Sequence, residues 1–473
     1  MILCSSHIRS LYIYNHLIKH FKHKILLYNS KINKKDKVYI WKMIISGDPI
    51  IIIGSKSSVL IPFGNLDLII IDNENDFLFK SNNSPYYNAR DVGIFLGKYH
   101  NASIILTSDN PSIISYFNVT IGKYGLLRYK HKTNYMRLKL LNMYNKYDNN
   151  FITNNILKKI QYNVNNRKQV ILYHSNNDYI NIVKCTKCNK ILKCIKCNKI
   201  LIYYVLYNFV QCFSCKNKIY YEIKCNICQS NYTQDKLDIY NFIKINLINN
   251  YKIDIITSNN NDKNISIIKE FNKKNINIIF CNHMIFDYDI KNYDIGLIIM
   301  LNFDKYLKRP YYNSFENINN ILHKIYKKLV CNNNELLLQT FDITQKMLQI
   351  ILSKDYFYYY NFEIEERKQF LYPPFCKIIY IELIHNNDIK LKNAIQYILD
   401  NLITQIDNSN QILISDNIFL KKIKNIKKYI IMVKIYFNST KKLYLAKIII
   451  MSNINIISNK YKGIKFQINV DPL

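Results

Sequence analysis

Eight of the chain's twelve cysteines lie between positions 185 and 228, as four C-x-x-C pairs: Cys185/Cys188, Cys194/Cys197, Cys212/Cys215 and Cys225/Cys228. In a C-x-x-C knuckle a tight turn directs both thiolates at one point, and two knuckles complete the tetrahedral sulfur shell that suits Zn²⁺. Four knuckles therefore make two closed sites with no open coordination position, which is structural rather than catalytic metal. An iron–sulfur cluster also takes four thiolates, but hairpin-like C-x-x-C spacing favours a zinc ribbon. Lys187, Lys193, Lys196 and Lys216 stand in or beside the knuckles and offset thiolate charge. Cys4, Cys281, Cys331 and Cys376 are isolated and read as small core residues.

The elements around this cluster follow from hydrophobic periodicity. Runs 25–28, 50–53, 68–71 and 104–106 read as buried parallel strands, with 11–21 and 89–99 as helices between them. After an Asn- and Lys-rich stretch a second α/β alternation begins at 170–173. The cysteines interrupt it, and it resumes at 253–256, 276–280, 296–301 and 336–339. The tail from about 346 opens with a helix and carries the turn signal Tyr372-Pro373-Pro374-Phe375. The expected domains are thus 1–135, a linker at 136–165, 166–345 with a metal-binding insertion at 185–230, and 346–473.

Apolar residues make up 49% of the 473 positions, so the chain can fold; its net charge of +33 suggests a polyanionic partner. Abundant Lys, Asn, Ile and Tyr beside 9 Gly and 1 Trp are also what an A+T-rich genome writes, so charge by itself does not name the partner. Residues 1–24 lack a continuous apolar core and a small-residue cleavage site, and the apolar runs are strand-length. The expectation is a cytoplasmic protein without a membrane partner, in a compartment where clustered cysteines favour metal over disulfides.

Several strings occur in a telling order. Gly54-Ser55-Lys56-Ser57 leads to Ile61-Pro62-Phe63, then to segment 66–72 and to Pro85-Tyr86-Tyr87-Asn88-Ala89-Arg90-Asp91-Val92. The tail adds 363–367, Tyr372-Pro373-Pro374-Phe375 and Val470-Asp471-Pro472. With a four-knuckle insertion in the second α/β unit, this order resembles the PriA family of replication-restart superfamily 2 DNA helicases. The resemblance implies an α/β chain of two RecA-like helicase lobes, the first incomplete. It adds a double zinc ribbon in the second lobe and an α+β C-terminal domain. It implies forked or single-stranded DNA and primosome and replication-restart proteins as partners, two structural Zn²⁺, and ATP with Mg²⁺ for a 3'-5' helicase. It also nests the ligands: Cys185, Cys188, Cys225 and Cys228 at one site, Cys194, Cys197, Cys212 and Cys215 at the other. Spacing alone allows sequential pairing too.

The nucleotide motifs depart from that family. No G-x-x-x-x-G-K-[ST] occurs; the resemblance places that loop, and the N-terminal DNA-binding regions, upstream of Met1. Asp72-Asn73-Glu74-Asn75 stands where the family has D-E-E-H. Asp72 can still hold a metal ion, Asn73 cannot accept a proton, and Glu74 is shifted by one residue, which on a strand turns it to the other side. Asp72 and Glu74 are therefore residual catalytic candidates in what otherwise reads as a polar loop, 72–76. Thr107-Ser108-Asp109-Asn110-Pro111-Ser112 replaces G-S-A-T-P-S, Ser175-Asn176-Asn177-Asp178 replaces N-R-R-G, and Cys281-Asn282-His283-Met284-Ile285 replaces G-T-Q-M-I. Lys327-Lys328 falls in the arginine-finger region, and Lys lacks the bidentate fork of Arg.

Three functions are open to such a chain. One is a restart protein that binds DNA with impaired ATP hydrolysis, touching phosphate through Lys56, Lys80, Arg90 and lysines of the insertion. Another is an active helicase completed by a separate P-loop fragment. The third is a zinc-ribbon module for nucleic acid or protein without a restart role.

Overall fold

Short β-branched runs build the first sheet. In the computed structural model its strands are β1 (Ile2–Leu3), β2 (Ile25–Tyr28), β3 (Ile51–Gly54), β4 (Leu68–Asp72) and β5 (Ser103–Thr107). They are all parallel, in the order β2-β3-β1-β4-β5. The described residues are 1–29, 32–128, 137–142, 154–174, 179–188, 190–196, 201–204, 209–212, 217–220, 224–225, 227–238, 240–241, 243–244, 251–256, 261–291, 294–307, 312–329, 334–340, 342–406, 412–415, 421–423, 426–436 and 440–472.

Successive strand residues face opposite sides, and the two sides are covered differently. Ile2, Ile25 and Ile53 pack with Ile13, Leu17 and Ile18 of helix His7–Phe21. Leu3, Ile69 and Ile71 pack with Ala89, Val92 and Leu96 of helix Ala89–Tyr99. Tyr28 and Ile52 pack with Ile40 of helix Lys34–Ile45. The sequence reading missed β1 and that last helix: two residues carry no periodicity, and the helix's apolar positions are interleaved with lysines.

The second parallel sheet uses β6 (Arg137–Asn142) and β7 (Gln169–Tyr173). An antiparallel insertion follows: β8 (Tyr179–Cys185), β9 (Leu201–Tyr204), β10 (Phe209–Cys212), β11 (Lys218–Tyr220) and β12 (Tyr232–Asp238). The sheet then resumes with β13 (Ile253–Ile255), β14 (Ile278–Cys281), β15 (Ile295–Met300) and β16 (Glu335–Thr340), in the order β13-β14-β7-β15-β16-β6. Strands β7, β14 and β15 are buried at every position, as expected of strands covered on both faces.

One expectation fails here. Stretch 136–165, read as a linker, supplies edge strand β6, paired to β16 from Arg137 to Asn142, and helix Asn154–Asn165. Its Asn and Lys content masks an amphipathic helix whose Ile156, Leu157, Ile160 and Val164 are buried in the sheet's core. Lys139 and Lys159 both reach Glu335, at 2.7 and 3.0 Å.

The tail forms an antiparallel sheet of β17 (Cys376–His385), β18 (Ile412–Ser415), β19 (Lys421–Ile423), β20 (Ile426–Tyr436) and β21 (Lys465–Val470), ordered β18-β20-β17-β21 with β19 on β20. Helices Asp388–Ile406 and Thr440–Lys460 cover it. Contacts divide the chain into two units: Met1–Arg128 with Pro310–Asn320 and Lys354–Leu473, and Tyr129–Arg309 with Ile321–Ser353. Among the described residues no helix is long and apolar enough to cross a membrane.

Candidate functional site

The insertion begins with β8 and ends with β12, and these pair antiparallel over seven residues, from Tyr179↔Asp238 to Cys185↔Tyr232. That pairing sets the first knuckle beside the last. Each knuckle closes in the same way: the Cys185 amide donates to the Lys190 carbonyl (2.9 Å) and the Cys225 amide to the Ser230 carbonyl (3.0 Å). Four sulfurs result, from Cys185, Cys188, Cys225 and Cys228, all within 4.8 Å of one another. Cys185 and Cys228 Sγ are 3.3 Å apart, Cys188 and Cys225 Sγ 3.6 Å. Tetrahedral zinc at 2.3 Å from each sulfur would need edges of about 3.8 Å, so the group fits the metal with small adjustment. Backbone N–H groups of Ile227 and Cys228 aimed at the Cys225 sulfur pull its thiol down to about 6, while the neighbouring sulfurs help push the Cys188 thiol up to about 11, so it is the geometry of the four sulfurs that points to a metal.

Of the four cysteines expected at a second site, Cys194 is buried against Val183, Leu201 and Val210, and Cys212 ends β10 opposite Leu201. Cys197 and Cys215 lie outside the described residues. Cys4, Cys281 and Cys376 are buried, and burial pushes the Cys4 and Cys376 thiols up to about 12, which suits core residues; Cys331 lies outside the described residues.

A second constellation forms at the carboxyl ends of β1 and β4. The chain leaves β1 toward β2 through helix His7–Phe21, and leaves β4 toward β5 through helix Ala89–Tyr99, on the opposite face. Such a reversal between neighbouring strands opens the crevice where α/β sheets take ligands. Here it is filled by its own side chains. Arg9 grips Asp72 with two bonds, Nε to Oδ2 at 2.7 Å and an Nη to Oδ1 at 3.2 Å. Ser5 Oγ donates to Asp76 at 2.9 Å, Ser6 caps the helix by accepting from the Arg9 amide, and Ser10 Oγ donates to the His7 carbonyl.

Glu74 leaves that crevice altogether. It is buried at 3% exposure and accepts from the Ser112 amide (2.6 Å), Ser112 Oγ (2.9 Å), Ser115 Oγ (2.8 Å) and Arg90 (3.1 Å). It ties the turn after β4 to the start of helix Ile113–Thr120, so the loop reading of 72–76 misses a buried hub.

No protein-family model matches the chain. The replication restart protein PriA of Borreliella burgdorferi is 28% identical over 378 residues, 77% of this chain and 56% of that protein. Its Helicobacter pylori counterpart is 26% identical over 391 residues, 79% and 60%. That of Rickettsia felis is 33% identical over 181 residues, 37% and 28%. The chain is similar to the PriA replication restart proteins. It spans little more than half the length of those that align along most of it. Against RecG bound to a three-way DNA junction the TM-score is 0.40 at 12% identity, covering 77% of this chain and 40% of that one, too loose an overlap to argue from.

The PriA-like motifs can now be placed. Asp72, the group expected to hold a metal ion, is paired with Arg9. Lys328 donates to the Phe286 carbonyl, Asn282 caps the turn at His283–Asp287, and 175–178 lie outside the described residues.

Two expected DNA contacts are corrected. Lys80 is 5% exposed and Arg90 8%. Lys80 donates to the carbonyls of Tyr86 and Val470, and Arg90 to Asp91, Glu74 and Ser112. Burial lowers the Lys80 pKa, while Asp91 and Glu74 outweigh burial to keep Arg90 charged. Neither has a head to offer a phosphate. Lys56 is half-buried, with Nζ at 3.4 Å from the Lys80 carbonyl.

Proposed function

We propose that this chain is a DNA-binding protein of replication restart, PriA-like in its lobes and ribbon, which holds two structural zinc ions and has impaired ATP hydrolysis. Similarity to PriA proteins along three-quarters of the chain carries the reading. Cys185, Cys188, Cys225 and Cys228 are the first zinc site, and Cys194, Cys197, Cys212 and Cys215 the second.

With Lys80 and Arg90 withdrawn, phosphate contact falls to exposed lysines. Helix Lys34–Ile45 offers Lys34, Lys35 and Lys42, next to the chain's one tryptophan, Trp41, 45% exposed. Binding through lysines releases counterions, so affinity falls steeply with salt; charge alone gives no preference for shape. The test titrates salt against the zinc-loaded chain on labelled forked and plain duplex DNA of equal length. A fork preference that survives high salt is the expected result. Equal affinities that vanish together would leave a basic zinc-ribbon protein with no restart role.

A further inference from the structure

The carboxylate of Glu316, in the first turn of helix Ser314–Leu329, is used on two sides. Its Oε1 accepts from the Ile113 amide at 2.9 Å, 203 positions away, where helix Ile113–Thr120 begins. Its Oε2 accepts from Arg367 Nη2 at 2.8 Å, on the tail helix Tyr356–Gln369. All three residues belong to one compact unit. We propose that Glu316 is the pin of a clasp that fastens the tail domain to the first sheet, so that the two unfold as one cooperative body.

Arg367 is the jaw on the tail side. It is 1% exposed, its Nε donates to Glu363 Oε1 at 2.9 Å and an Nη to the Pro373 carbonyl at 3.2 Å, and the Tyr312 ring lies 5.2 Å from its guanidinium carbon. A planar fork held at this many points has one orientation, and it fixes the carboxylate it grips. On the other side, the first amides of helix Ile113–Thr120 have no partner within the helix. Glu74 takes that of Ser112 and Glu316 that of Ile113. Neighbouring contacts run the same way: Tyr356 Oη donates to the Pro111 carbonyl at 3.0 Å, and the Tyr116 and Tyr360 rings lie 4.6 Å apart. Glu316 differs from these in needing both of its oxygens as acceptors. The amide of Gln has one acceptor and one donor. Glu316→Gln therefore sets an N–H against either the Ile113 amide or Arg367 at unchanged size, and opens one side of the clasp while Arg367 keeps Glu363.

The experiment reads the first sheet through Trp41, the chain's one tryptophan, on helix Lys34–Ile45, while the tail core is weakened from within. Ile398 is fully buried in that core, and Ile398→Ala removes its packing. Urea unfolding of the full, zinc-loaded chain is followed by Trp41 emission, with and without Ile398→Ala, in the unaltered and the Glu316→Gln backgrounds. In the unaltered background Ile398→Ala should lower the Trp41 midpoint, because elements joined in one cooperative body share the loss. With Glu316→Gln, the same substitution should shift that midpoint by less than half as much. No shift in the unaltered background, or a shift of half or more with Glu316→Gln, overturns the clasp. A contact that only added stability would leave the Ile398→Ala shift the same in both backgrounds. Should Ile398→Ala fail to fold, Ile398→Val puts a smaller loss through the same comparison. No DNA is present, so failure of the DNA reading leaves this result untouched.

Discussion

Two buried carboxylates in the first unit show how one residue type takes different work. Glu74 spends its oxygens on Arg90 and on the amide and hydroxyls of Ser112 and Ser115. Its replacement by Ala would leave Arg90 with the exposed Asp91 as its remaining carboxylate and Ser112 without its acceptor, and losing one partner of a buried pair costs up to about 3–5 kcal/mol. Denaturant unfolding should show that loss. Glu363 is different. It and Glu316 share one guanidinium, Arg367, at 2.9 and 2.8 Å, with Arg367 1% exposed. Burial, only partly offset by Arg367, pushes the Glu363 carboxyl up to about 7. A carboxyl raised on folding stabilises fully below its unfolded value, near 4.5, and that contribution is lost as pH rises through 7. Tm should therefore fall between pH 6 and pH 8, and Glu363→Gln should flatten that slope. An unchanged slope in the variant would show that another group sets it.

At the scale of elements, the ribbon depends on metal more than on its core. Its apolar cluster is small: Val183, Cys194, Leu201, Tyr203 and Val210, with Leu192, Ile219 and Tyr232 alongside. Structural zinc in small fingers contributes on the order of 10 kcal/mol or more. Chelation should therefore unfold the insertion while the parallel sheets persist, seen as protease cleavage confined to about 179–238. Metal analysis should return two zinc ions per chain, and one after Cys185→Ser with Cys188→Ser. If the partner pair were sequential, Cys225→Ser with Cys228→Ser added to that variant would remove the second ion; nested pairing leaves it bound.

For the whole molecule, the proposed DNA binding would rest on distributed charge. The slope of log affinity against log salt should be near −0.9 for each phosphate neutralised on a duplex. Lys80→Ala and Arg90→Ala should leave that slope unchanged in chains that remain folded, because both heads are buried. Lys35→Ala with Lys42→Ala should lower it. The single tryptophan makes the surface directly readable: Trp41 emission should change as a single-stranded oligonucleotide is added. A chain that binds DNA with unchanged Trp41 emission would move the contact elsewhere.

The sequence by itself determined what depends on local pattern and on residue type. The C-x-x-C pairs at 185/188 and 225/228 were legible as metal-binding because the spacing fixes the geometry within each knuckle. The strands at 25–28, 68–71 and 170–173 were legible because each is a continuous apolar run. The tertiary structure decided what depends on partners far apart in the chain. Which knuckles meet follows from β8 pairing with β12 across the insertion. The two residues of β1 hold a central place in the first sheet only through long-range pairing with β3 and β4. Arg9, an unremarkable basic residue in sequence, became the partner of Asp72 63 positions away. Lys80 and Arg90 looked like surface charge, yet burial comes from packing that no local motif encodes. The helix inside 154–165 was hidden because Asn and Lys, set by composition, diluted a pattern that only the core it enters makes plain.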